Sequence, residues 1–339
     1  MSRILGLPVW MGIIADALGN GVFMKRPLNN YSALLDLEAR RVAALWKGAV
    51  VGLAVGIVIV LYRFVLSKME ELALRYYAFF LAHPAMLPLL FIGLGGLGYV
   101  VGFLVDKHRQ ISGSGIPQTK GIMLGHFNFP WFGTLWAKFL GGALAILAGL
   151  SVGREGPSIQ LGASVAEGIG QKISSTNTER KYIIASGASA GLSAAFNAPL
   201  AGVIFAMEEI FKYLSPVVLL FTTVASVVAS FVARMAFGSE PLFSFPIKSP
   251  LPLSAYWMVC LLGLVLGGAG ALYNLTLLKT QKLYKKIESL RFRVMMPFLL
   301  AAAVGLLFPV ALGGGHGVLE HIHNSEPFLT LLLILVVKF

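Results

Sequence analysis

The chain has 339 residues, of which 57% are hydrophobic and only 12% charged, and its mean hydropathy is +0.80. That balance excludes a soluble domain and demands several membrane-spanning segments. The net charge of +12 does not call for a nucleic-acid partner, because Lys and Arg gather in short stretches (Lys25-Arg26, Arg40-Arg41 and residues 279–293), as positive-inside anchors do. The single cysteine, Cys260, lies in an apolar run, which leaves neither a disulfide framework nor a Cys-based metal site.

In chain order, residues 1–23 resemble a weak signal sequence, with Arg3, a short apolar stretch and then small residues, but Asp16 interrupts the apolar part. Met24 is an equally good start, and the segment is assigned no function. Residues 31–42 place apolar side chains at helical spacing with charges on the other face, the pattern of an interfacial helix. The core of a first span is expected over 48–62, between Lys47 and Arg63, with 68–75 a polar loop after it. Residues 76–105 carry no Asp, Glu, Lys or Arg but include His83-Pro84, so the next span is expected over 87–105. Asp106-Lys107-His108-Arg109 ends it on the cytoplasmic side. A further span covers 131–150, interrupted by Lys138. Residues 182–207 are uncharged too, yet Gly187, Gly191 and Asn197-Ala198-Pro199 are expected to cut them into pieces too short to span alone, closed by Glu208-Glu209. The remaining apolar runs are 217–233, 253–278 and 295–312. A last one, 328–339, stops short of the roughly 20 residues a crossing helix needs, so a truncated chain is expected.

Two stretches share one design. Gly113-Ser114-Gly115-Ile116-Pro117 and Gly153-Arg154-Glu155-Gly156-Pro157 each place glycines ahead of a proline that suits the first turn of a helix. The second lies between uncharged runs, where an ionisable pair is expensive and usually lines a transport path. Both read as helices broken inside the membrane, whose free N–H groups form an anion site. Backbone N–H groups and the Ser114 hydroxyl hold a halide weakly enough for it to leave again. Glu155 would occupy the same seat, leave it when protonated and so act as both gate and proton carrier. Arg154 reads as a structural partner or an access-path charge rather than a ligand. The residues alone leave a second reading open: surface loops of Gly and Pro carrying an ordinary Arg–Glu pair. Of Glu208 and Glu209, at most one faces inward, since helix neighbours point about 100° apart. That one is either a proton relay or half of a solvated cap.

Other patterns carry less. His316, His321 and His323 near Glu320 lack metal-ligand spacing, and read as loop histidines. Gly187-Ala188-Ser189-Ala190-Gly191 fits the nucleophile-elbow pattern but lies in an apolar membrane segment, where small residues at a helix contact explain it better. An enzyme is the weakest reading.

Together the two Gly/Pro motifs, the run Gly191-Leu192-Ser193-Ala194-Ala195-Phe196-Asn197-Ala198-Pro199-Leu200-Ala201-Gly202 and the Glu208-Glu209 pair resemble the CLC family of chloride channels and chloride/proton antiporters, from about residue 34 onwards. The resemblance implies an all-α membrane protein, an inverted-repeat bundle of tilted and broken helices. Residues 1–33 are then an N-terminal extension, 34–215 a complete first repeat and 216–339 an incomplete second. It implies chloride and protons as what is carried, no cofactor, no metal, and a homodimer in a multi-pass bacterial cell membrane. By likeness Ser114 coordinates the central anion, with Gly113, Gly115, Ile116, Arg154 and Gly156 around it. Glu155 is the external gating glutamate, and Glu209 the internal proton-transfer glutamate. Channel members of the family usually carry an apolar residue at that last position, so Glu209 leans the expectation towards antiport. A passive channel and a non-transporting truncated subunit stay open. The family's G-x-F-x-P motif and late tyrosine are absent from the 339 residues, and this polypeptide alone is expected not to transport.

Overall fold

The structure, a computed structural model, describes the backbone of residues 30–126, 130–238, 252–314 and 333–337, with side chains from Arg41 onwards. Contacts divide the chain into two units, residues 1–44 and 45–339. In the first, the described backbone is the opening of a helix; the second holds the rest of the described structure. Among the described residues the regular structure is helical, with no strand.

Helix α1 is Asn30–Ala82. It runs unbroken through residues 68–75, where a polar loop was expected. The segment has no Gly or Pro to stop a helix, and its charges pair along one face: Lys68 and Arg75 both bond Glu71, three and four residues away. The break comes instead at His83-Pro84, where His83 leaves helical geometry at φ −126°, ψ 74° ahead of a proline that disfavours it. Helix α2, Leu87–Lys107, comes after it. Two short helices come next, α3 (Ile116–Leu124) and α4 (Trp131–Leu147). Helix α5 is Glu155–Ile173 and α6 is Asn177–Phe196. Thr176 opens α6 by accepting the Glu179 N–H at 3.1 Å, while the Glu179 carboxylate accepts the Ser175 N–H at 2.7 Å.

Helix α6 passes straight through Gly187 and Gly191, which were expected to interrupt it, and breaks only at Asn197, in the left-handed region at φ 59°. The glycines have another task. A Cβ on Gly162 of α5 would lie 2.2 Å from the Gly187 carbonyl oxygen, and one on Gly191 would lie 2.2 Å from that of Ser158. They let the two backbones touch, as small residues do between helices in lipid. Ser189 lies in the middle of α6 and shares a 2.7 Å hydrogen bond with Ser226, so the elbow-like pattern is a helix contact. Gly162→Val should therefore force α5 off α6, at a cost of about 1–3 kcal/mol. A lowered thermal midpoint of the purified protein in detergent is the expected reading, and an unchanged midpoint contradicts this contact.

After Asn197 the chain enters α7, Pro199–Phe205, which widens into a π-helical turn at Ala206–Phe211. Helices α8 (Pro216–Phe237), α9 (Tyr256–Tyr284) and α10 (Leu290–Leu307) complete the order. The main packing pairs are α5 with α6, α6 with α8 and α2 with α10. Among the described residues, five stretches are long and apolar enough to cross a membrane: Arg41–Ala82, Pro84–Lys107, Pro216–Phe237, Leu253–Tyr284 and Leu290–Leu307; α4 is a shorter apolar helix. Residues 1–23, the three histidines at 316, 321 and 323, and most of 328–339 lie outside the described residues.

Candidate functional site

The loop ahead of α3 is shaped by its glycines. Gly113 and Gly115 take φ of 75° and 91°, values that suit glycine alone among the residue types without strain. Between them Ser114 is exposed, and its hydroxyl accepts the Ile116 N–H at 3.4 Å. Pro117, with no N–H, occupies the first turn of α3, and the helical pairing begins with Thr119 N–H on the Gly115 carbonyl at 2.9 Å.

A lysine holds this loop from behind. Lys138, buried on α4, donates from Nζ to the carbonyls of Ile111 at 2.8 Å and Gly113 at 2.6 Å. In the sequence it is only an interruption of an apolar run. Its ammonium holds two of the loop's carbonyl oxygens together, a charge-assisted clamp on the side of the loop that faces α4. Lys138→Met should loosen the loop, since hydrogen bonds to a charged group contribute about 1.5–3 kcal/mol each. The expected reading is a lowered thermal midpoint in detergent with the helical signal retained; an unchanged midpoint would show that Lys138 does not anchor this loop.

The start of α5 meets the same loop. A Cβ on Gly156 would lie 2.7 Å from the Ser114 carbonyl oxygen and 3.0 Å from its Cα, so Ser114 and the first turn of α5 are in contact. Gln160, fully buried one turn on, packs against Gly115 and donates from Nε2 to the Gln110 carbonyl at 2.7 Å. Glu155 is the first residue of α5 rather than a group facing it from outside. It is half-buried, and its carboxylate folds back over Gly153. Arg154 is the N-cap of α5, half-buried, within electrostatic reach of both Glu155 and Glu70. Ser114, Gly113, Gly115, Ile116, Gly156, Glu155 and Arg154 thus gather where two helix starts converge.

Glu209 stands apart from them, in the π-helical turn after α7. Glu208 is exposed, and Glu209 lies at the surface with its side chain 45% exposed, turned towards α3 rather than into the core. Its Oε1 accepts a short hydrogen bond from Lys120 Nζ on α3, and this ammonium holds the carboxyl below the usual carboxylate range. Lys120 carries no signal in the sequence, because the pair spans 89 positions.

This arrangement has relatives. The profile described as "Voltage gated chloride channel" matches residues 97–339. The chain belongs to this family. The H(+)/Cl(-) exchange transporters ClcA of Salmonella paratyphi A and Salmonella typhi are each 33% identical to it over 294 residues, or 83% of this chain and 62% of theirs. The chain therefore spans less than two thirds of the length of these relatives. The crystal structure of a slow cyanobacterial Cl-/H+ antiporter superposes with a TM-score of 0.79 at 30% identity, covering 87% of this chain and 71% of that one. A CLC-type fluoride/proton antiporter shares the fold at a TM-score of 0.70 and 22% identity, over 88% of this chain and 75% of its own. The chain is a membrane-integral member of a family whose fold is all-α.

Proposed function

We propose that the protein exchanges chloride for protons across a bacterial cell membrane. The observation that carries this reading is the contact between Gly156 and Ser114, which brings two helix starts to one point beside a carboxylate. Each start offers N–H groups that have no partner within the helix, and together they hold a small anion by partial charge. Ser114, Gly113, Gly115, Ile116 and Gly156 line the seat, and Arg154 guides the anion towards it. Glu155 competes for the seat when ionised and withdraws when protonated, so anion and proton move in turn. Glu209 accepts the proton on the inner side. The names of the ClcA relatives and of the cyanobacterial structure support chloride and protons as what is carried. Chloride is substrate here, and the reading needs no cofactor.

The same reading takes 34–215 as one repeat and 216–339 as part of its inverted partner, and takes the protein to be a homodimer, which crosslinking in membranes tests. Its central test is Glu209→Gln in protein expressed from the complete gene and reconstituted into liposomes. Chloride flux should persist while proton flux falls to background, because an amide in that position takes up no proton. A reversal potential that ignores the pH gradient in the unsubstituted protein would instead favour a passive channel.

A further inference from the structure

We propose that Lys120 is a positioning residue that ties the inner proton-transfer glutamate to the helix whose start forms the anion seat, so that proton arrival at Glu209 is felt at Ser114. The inference rests on Glu209 being the inner proton acceptor. Its ground is one ion pair and the element that carries it. Helix α3 is nine residues long. Its first residue, Ile116, belongs to the anion loop, and Lys120 lies one turn further on, about 6 Å along the axis. A helix this short transmits a push at one end to the other as a rigid body, with Thr119 locking the first turn through both its N–H and its hydroxyl onto the Gly115 carbonyl.

The other partner sits on an irregular element. Glu209 belongs to the π-helical turn Ala206–Phe211, a geometry rarer than the α-helix and recurrent at functional sites. The turn ends at Lys212, a non-glycine residue in the left-handed region at φ 60°. Among the described residues, the charged groups around Glu209 are Glu208 and Lys212 on its own segment and Lys120 from α3. From α6 and α8 the turn is packed by Tyr182 and Val218, neither charged at neutral pH.

The consequence follows from charge balance. With Glu209 ionised, Lys120 is neutralised and α3 is held to the turn. A proton from the inner solution converts the carboxylate to a carboxylic acid, the charge attraction ends, and Lys120 carries an uncompensated positive charge one turn from the anion loop. That charge favours an anion at the loop, so proton and anion affinities rise together. By linkage the effect is reciprocal: chloride at the seat also favours protonation of Glu209.

The test uses chloride binding by calorimetry and the Glu209 carboxyl band by difference infrared spectroscopy, on protein from the complete gene in nanodiscs, with Glu209→Gln to assign the band. In the unsubstituted protein chloride affinity should rise about fivefold or more on acidification through the Glu209 titration. Lys120→Met should move that titration to higher pH and flatten the pH dependence of chloride affinity; Lys120→Arg should keep both. Should Lys120→Met unfold the protein, the charge exchange Lys120→Glu with Glu209→Lys re-forms the pair and restores its thermal midpoint, and the pH dependence of chloride binding should be kept, because protonation of the carboxylate now carried by α3 again adds one positive charge beside the loop. A Glu209 band that Lys120→Met leaves in place, or chloride affinity with an unaltered pH profile, overturns the proposal. If both move as stated but Glu209→Gln leaves proton flux intact, the latch stands and the assignment of Glu209 as proton carrier falls.

Discussion

Protein carrying Glu155→Gln, made from the complete gene and reconstituted, should pass chloride with no proton movement. Glutamine has the size of a protonated glutamate and the same inability to occupy an anion seat as a charge, so the substitution freezes the side chain in its withdrawn state. It has no dissociable proton to carry. Chloride flux should lose its dependence on pH, and its reversal potential should follow the chloride gradient alone. The geometry supports this outcome at two points. Glu155 opens α5, whose first turn carries free N–H groups, and its carboxylate lies over Gly153 beside them. The next residue, Gly156, touches Ser114. On the proposed mechanism, a group so placed blocks an anion if charged and admits it if neutral. Proton flux in Glu155→Gln equal to that of the unsubstituted protein would remove the gate.

If the proposed anion seat is right, Gly156→Val should weaken it while the helices stay folded. An ideal Cβ at this position lies 2.7 Å from the Ser114 carbonyl oxygen and 3.0 Å from both Cα and Cβ of Ser114. Backbone cannot swing away as a side-chain tip can, so the two helix starts must part. Anion contacts from the two starts add only while both reach the same point. Losing one charge-assisted hydrogen bond costs about 1.5–3 kcal/mol, and about 1.4 kcal/mol is tenfold in affinity, so chloride binding should weaken at least about tenfold. Gly93→Ala and Gly96→Ala serve as controls: a Cβ at either position meets nothing within 4 Å. Chloride affinity in Gly156→Val matching that of the controls would show that the seat does not depend on this contact.

Legibility in the sequence tracked the range of the interaction. The break at His83-Pro84, the loop at Gly113-Ser114-Gly115, the start of α5 and the turn at Asn197 are local events, fixed by the φ freedom of glycine, the missing N–H of proline and the tolerance of asparagine for the left-handed region. Reading Gly187 and Gly191 as breaks went wrong because a glycine in a helix is ambiguous by itself. It weakens the helix in isolation, yet permits a backbone contact that only the neighbouring helix reveals. Residues 68–75 misled for a similar reason. Their charges looked like a solvated loop, whereas pairing at three and four residues supports the helix they interrupt.

By itself, the sequence determined that the chain lives in a membrane, where its apolar runs fall, and that two Gly/Pro motifs open helices with an ionisable pair at one of them. Tertiary structure alone decided that those two openings touch, that Lys138 holds the Gly113-Ser114-Gly115 loop by its carbonyls, and that Lys120 reaches Glu209. The physical reason is that helix starts and turns are set by neighbouring residues, while the partner of a lysine side chain is set by the whole packing. Those partners stand 25 to 89 positions away along the chain.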